Sequence, residues 1–287
     1  MTNHLSFQGL RYCALLTCLL CVQLLGAQSV ASEIATESAP LDDITTRSTI
    51  RDRNTLKPAP IREADIFWEK RIWRVIDTRE KMNKPFVAPE SPLFVILMDA
   101  ALQGDMRVYS TVDDRFTKPL STDDVSSMMY KEDTIIVFDP QTGEERVQIV
   151  KNEINWENVK RFRVKESWYF DANTSSLKVR ILGIAPLIDV VDEEGNFRFE
   201  KPLFWVYYPQ AREILARHKV VTPGGNFAST LSWEDWMEMR HFSSFITKEN
   251  TVGDLRLEDS YTGVDLLMKS KEVGESIFNL EHDLFTY

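Results

Sequence analysis

Cysteine is confined to one short stretch of this chain. All three, Cys13, Cys18 and Cys21, fall near the N-terminus. Beyond them nothing can form a disulfide, a thiolate metal site or a cysteine nucleophile. Histidine is nearly as scarce. Past residue 27 only His218, His241 and His282 occur. None is paired four positions apart and none stands in H-E-x-x-H, so a zinc centre has no support. The glycines form neither a G-x-G-x-x-G fingerprint nor a phosphate loop, and the G-x-S-x-G nucleophile elbow is missing. Positive charge is also in deficit: 34 Lys and Arg face 44 Asp and Glu, a net charge of −10. Such a surface does not suit nucleic acid or anionic lipid as a partner.

What is present begins with an apolar run, CALLTCLLCVQLLGA, from Cys13 to Ala27. It follows Arg11, is too short to span a bilayer comfortably, and is followed by small residues, as in a secretory signal peptide. Cleavage near Ala27 or Ala31 is expected, with an uncleaved anchor as the alternative. Cys18 follows Thr17 and Cys21 follows Leu20, so neither has the small preceding residue of a lipidated cysteine. Export to a periplasm without a lipid of its own is the expectation. Removing residues 1–27 takes away Arg11 and no acidic residue, which deepens the charge deficit. Residues 28–60 are rich in Ser, Thr, Ala and Pro and poor in large apolar groups, and read as a flexible or extended arm. Residues 61–287 form the folded part, as one body or as two lobes of about 61–150 and 151–287. Its length and composition suffice for a buried core.

Within that part, Ile61, Trp68, Ile72, Val75 and Ile76 recur at helical spacing. They predict a helix over Ile61–Phe86, stopped by Lys84-Pro85. A helix to about Lys70 followed by a strand RIWRVID fits the same pattern. Ser91 and Pro92 read as the N-cap and first position of another helix, which closes at Gln103-Gly104. A short strand follows in MRVYST. Strands are predicted over Thr134–Asp139, Glu145–Ile154, Val159–Asp171, Leu177–Val191 and Phe197–Tyr208. The short turns between them imply antiparallel pairing. Helices follow over Pro209–Lys219, from Ser232 onward, and through the C-terminal stretch from Tyr261, with a weak spot at Gly274. The fold class is α+β, a central, mostly antiparallel sheet flanked by helices.

One phrase occurs twice. F-x3-L-S-x2-D-x3-M runs from Phe116 to Met128 and again from Phe227 to Met239. Ser121 and Ser232 read as N-caps, with Asp124 and Asp235 at the third position after each. In both copies a helix comes first, then a basic residue and a short apolar run. The unit is either a duplicated helix–strand–turn–helix or a chance likeness. Phe116, Leu120, Phe227 and Leu231 read as core residues in either case. DVVDEEGNFRFE, from Asp189, is a hairpin turn, because no frame puts Gly195 at the sixth place of a calcium loop with acidic residues at the first and twelfth. Adjacent acids such as Asp123-Asp124 carry little information in so acidic a chain. No catalytic, cofactor-binding or metal-ligating residue is nominated, which favours a structural or binding role.

READIFWEKRIWRVIDTREKMNKPF, followed by PLFVILMDAALQGDMRVYS and DDRFTKPL, resembles the GldN/PorN family. The most specific marks are Trp68, KRIWRVID (Lys70–Asp77) and REKMN (Arg79–Asn83). The likeness continues through KESWYFD and RILGIAPL and covers about residues 61–270. It implies a non-enzymatic, cofactor-free subunit of the type IX secretion and gliding-motility machinery. Implied partners are an outer-membrane lipoprotein of the GldK/PorK type, neighbouring copies in a periplasmic ring, and the GldL/GldM motor proteins. The implied place is the periplasm, peripheral to the outer membrane through the lipoprotein and without direct membrane binding. The competing reading is a periplasmic hydrolase or carbohydrate-binding protein with an acidic cleft, which requires converging carboxylates.

Overall fold

The computed structural model describes Ile50 and residues 52–138, 145–153, 159–191, 197–222, 224 and 228–285. The expected signal peptide, most of the arm, the turn sequences PQTG and DEEGN, and Phe227 lie outside the described residues. Ser48–Tyr287 gathers into one compact unit.

The first element corrects the helix expected over Ile61–Phe86. A 3-10 turn (Glu63–Asp65) leads into β1 (Ile66–Asp77), and a second 3-10 turn spans Lys81–Val87. RIWRVID is a strand, as the alternative reading had it, and forms the second half of β1. The helix that reading placed before it, up to about Lys70, is corrected too: Ile66 to Lys70 is the first part of the same strand. RIWRVID thus completes a strand already under way. The helical spacing has a physical cause. In that half β1 is covered on both faces, so Ile72, Trp73, Val75 and Ile76 are all buried. A buried run on a central strand imitates a helix stripe. Branched and aromatic side chains favour the pleated alternative.

α1 (Leu93–Gln103) is buried over most of its surface and stops where Gly104 takes φ 78°. Glycine adopts that left-handed conformation without a side-chain clash. The helix starts later than expected: Pro92, not Ser91, holds the N-cap position, and no side chain caps it. The Ser91 hydroxyl instead donates to the Lys219 carbonyl at 2.9 Å. β2 (Val108–Tyr109) and α2 (Thr122–Met129) follow, and α2 runs straight into β3 (Tyr130–Phe138). β3 pairs with β4 (Glu145–Glu153) as a separate two-stranded sheet. β5 (Val159–Asp171) and β6 (Ser176–Val191) fall where the sequence placed them. Phe197–Tyr208, read as one strand, is two, β7 (Phe197–Pro202) and β8 (Trp205–Tyr207). Pro202 sits at the break, as suits a residue with no N–H for the ladder. α3 (Tyr208–Ala216), α4 (Trp233–Glu238), β9 (Phe245–Glu249) and α5 (Gly263–Phe285) complete the chain, and α5 passes through Gly274 unbroken.

The fold is α+β, built on an antiparallel sheet of seven strands in the order β2-β8-β6-β5-β1-β9, with β7 alongside β6. Alternation along the strands separates two unlike faces. One carries Ile76, Phe162, Val164 and Val206, and meets α1 to α4 in the main core; Ile72, on the same face, meets α5 in a smaller cluster. The other carries Trp73, Ala185 and Trp205, with Tyr109 and Phe116 packed on them and no helix contributing among the described residues. Phe116, in the left-handed region at φ 58°, lies on this second face. Its ring meets Trp205 and Tyr207 edge-on. The close approach needs Gly183, because a Cβ there would stand 2.6 Å from the ring.

Both expected caps are capping boxes. Asp124 N donates to Ser121 Oγ at 3.1 Å, and Ser121 N donates to the Asp124 carboxylate at 3.1 Å. Ser232 and Asp235 repeat the arrangement at 3.2 and 3.0 Å. Their surroundings differ: Ser121 is exposed, whereas Ser232 is fully buried. Asp235 is also gripped by Arg53, whose two guanidinium nitrogens donate at 2.5 and 2.6 Å. This contact ties down the described part of the arm, which has a buried Ile50 and, over residues 54–62, no regular structure. Ser232→Ala is therefore expected to cost about 1–2 kcal/mol and Ser121→Ala about 0.5–1 kcal/mol. Denaturant unfolding of the two variants checks the order.

Candidate functional site

Two charge clusters lie back to back in the middle of the sheet. β5 supplies both, because its sequence RFRVKESW alternates. Arg163 and Lys165 point to the helix-free face, and Glu166 and Trp168 to the other.

On the helix-covered face Glu166 is completely buried. Arg74 of β1 donates its Nε to Glu166 Oε2 at 3.0 Å, and the Trp168 indole donates to the same oxygen at 2.9 Å. Arg240 Nη1 lies 2.8 Å from Glu166 Oε1 as a close ion pair, without the alignment of a hydrogen bond. Both guanidinium groups also lie over the Trp168 ring, at 5.8 and 5.3 Å from its centre. Burial lowers the Arg74 pKa, and the Glu166 charge opposes that. Arg240 reaches this place from an unusual backbone. It follows α4 at φ 56°, with its N–H donating to the Met237 carbonyl and the next N–H, of His241, to Trp236. This is the Schellman helix stop, whose left-handed residue is ordinarily glycine. An arginine there costs on the order of 1–3 kcal/mol of backbone strain, offset by its ion pair with the buried carboxylate.

On the helix-free face a cleft of about 520 Å³ opens beside Trp73. The loop from Thr111 to Arg115 forms one wall, and β9 with the turn to Arg256 forms the other. Lys165 pins the first wall: its ammonium donates to the Asp114 carbonyl at 2.6 Å and lies 5.4 Å from the centres of the Trp73 and Phe116 rings. Burial lowers its pKa, countered by Asp114. Lys248 holds the second wall, pairing with Asp254 at 2.7 Å and sitting 4.6 Å over Trp73. Asp113 accepts from the Thr117 hydroxyl at 2.6 Å. Arg115, Arg163 and Arg256 also line the cleft. None of the three forms an ion pair among the described residues, and Arg163 Nε is buried without a hydrogen-bond partner. Burial lowers the Arg163 pKa and Arg256 adds repulsion, while the Glu258 and Asp114 charges oppose both.

Neither cluster was nominated from the sequence. The usable signal was the alternation of charges along β5, an inner strand where charge is expensive unless partnered. Of the histidines, His241 stacks against Trp236 at 5.1 Å, and His218 and His282 are exposed. No group of three His, Cys, Asp or Glu among the described residues could hold a metal. The second large cleft, about 620 Å³ beneath the arm, carries Lys57, Lys178, Arg180 and Arg212 against Glu213 and Glu238. Three carboxylates line the first cleft and two the second, in each case outnumbered by basic side chains.

A family described as "Gliding motility associated protein GldN" matches residues 61–286. The chain belongs to the GldN family. The match runs from just before β1 to the end of α5, so the sheet, the buried triad and the cleft beside Trp73 are all inside it. No curated protein matches the chain. It is thus a gliding-motility-associated protein, as the motifs at Trp68, KRIWRVID and REKMN indicated. No helix among the described residues of this GldN-family chain is long and apolar enough to cross a membrane.

Proposed function

We propose that this chain is a non-enzymatic structural subunit of a type IX secretion and gliding-motility complex. In this reading it builds a ring on the periplasmic side of the outer membrane together with a lipoprotein of the GldK/PorK type. Neighbouring copies complete the ring, and the GldL/GldM motor proteins connect to it. The observation that carries the reading is the GldN family match across nearly all of the compact unit. Two features support it. The chain is acidic, at −10, so attraction to anionic lipid is weak and attachment falls to a protein partner. The stretches that carry the likeness, Trp68, KRIWRVID and REKMN, lie in β1 and directly after it, inside the matched span. Outer membranes prepared with and without the lipoprotein give the test. The chain is expected in the membrane fraction when the lipoprotein is present and in the soluble fraction when it is deleted. Persistent membrane association without the lipoprotein, or binding of the purified chain to bare lipid vesicles, overturns the arrangement.

A further inference from the structure

We propose that the cleft beside Trp73 binds the carboxylate groups of an acidic peptide segment. The inference goes beyond the ring assignment and does not rest on it. The charges of the cleft do not balance internally. Asp114 is matched by Lys165 and Asp254 by Lys248, at 3.6 and 2.7 Å. That leaves Arg115, Arg163 and Arg256 facing Asp113 in the lining and Glu258 close to Arg163, still an excess of positive charge. In a chain with a net charge of −10, a local excess of guanidinium is a feature to be explained. Arg163 is the sharpest part of it, because its Nε is out of water and without an acceptor. Such a donor stabilises the fold poorly on its own and binds a carboxylate well.

The layout favours a peptide over a compact anion. The three arginines come from different segments: the loop after β2, the middle of β5 and the turn after β9. Three carboxylates stand among them, so a phosphate, with its charge concentrated at one point, meets repulsion wherever it sits. An extended chain places its carboxylates one at a time and can thread between the acids. Trp73, Trp205, Pro202 and the exposed Val112 give apolar walls for the side-chain stems. The volume is within the usual range for a small, specific site.

The test is calorimetric titration of the purified chain with an acetylated, amidated hexa-glutamate peptide, with inorganic phosphate as comparator, at low and at high salt. The chain as a whole repels such a peptide, and because the second cleft is basic as well, the variants below assign the binding to the cleft beside Trp73. Arg115→Gln with Arg256→Gln, both exposed and outside the core, is expected to weaken binding by about tenfold or more at an unchanged melting temperature. Asp113→Asn is expected to tighten it. Arg198→Gln, an exposed arginine absent from the cleft lining, is expected to leave it unchanged. Three results overturn the proposal: no binding of the peptide, equal loss from Arg198→Gln, or displacement of the peptide by phosphate at matched concentration.

Discussion

Replacing Glu166 by Gln is expected to destabilise the fold by about 3–5 kcal/mol, although the two side chains have nearly the same shape. The cost is in what remains. Arg74 and Arg240 are drawn to one fully buried carboxylate, and the Trp168 indole donates to the same oxygen as Arg74. Glutamine offers one acceptor oxygen and two further donors to this ring of donors, and leaves two partly buried positive charges uncompensated. The same physics sets a contrast. Replacing Arg74, Glu166 and Arg240 together by apolar residues is expected to cost less than the single change, because no orphaned charge remains. Urea unfolding of both variants decides the matter. A Glu166→Gln protein as stable as its parent would show that the triad is solvated in practice.

Trp233→Ala is expected to cost about as much, about 3–5 kcal/mol, by a different route. Trp233 is fully buried and is the first residue of α4. Its ring meets Phe86 edge-on at 5.1 Å between centres, and its N–H reaches Ser91 Oγ at 3.4 Å. It therefore joins α4 to the 3-10 turn after β1 and to the start of α1. Alanine leaves a cavity that three separate elements would have to close. Trp233→Phe keeps most of the volume and is expected to cost less than half as much. Thermal unfolding of the pair separates lost volume from lost hydrogen bonding.

The sequence was most legible where local signals decide the structure. β5 and β6 could be bounded closely because alternation and the turn ANTSS agree. The caps at Ser121 and Ser232 could be assigned because a capping box is local. β1 was misread because burial on two faces erases alternation, and only its pairing with β5 and β9 makes it a strand. Ser91 carried a cap signature, but a long-range contact with Lys219 claimed its hydroxyl. The cleft was illegible for a similar reason. Periodicity shows that Arg163 and Lys165 share a face, but not that Trp73 and Lys248 stand beside them. Register across distant strands decides that. Arg240 occupies a position where local rules call for glycine, so its role is visible only together with Glu166.

The interior position of β1, between β5 and the edge strand β9, has a consequence for how the chain is made. Its neighbours are β5 and β9, paired for instance through Ile72 with Glu166 and with Glu249. A polypeptide produced from its N-terminus releases β1 long before either neighbour exists. Closing such long loops is slow, and the strand must wait with both edges open. An unpaired strand rich in Trp and Ile is a template for aggregation. The charges that interrupt it, Glu69, Lys70, Arg71 and Arg74, are the gatekeepers such a wait requires. All four later find partners in the finished sheet: Lys70 pairs with Glu249, Arg71 with Glu69 and Arg74 with Glu166. The residues that keep the nascent strand soluble thus become, on completion, part of what locks it in place.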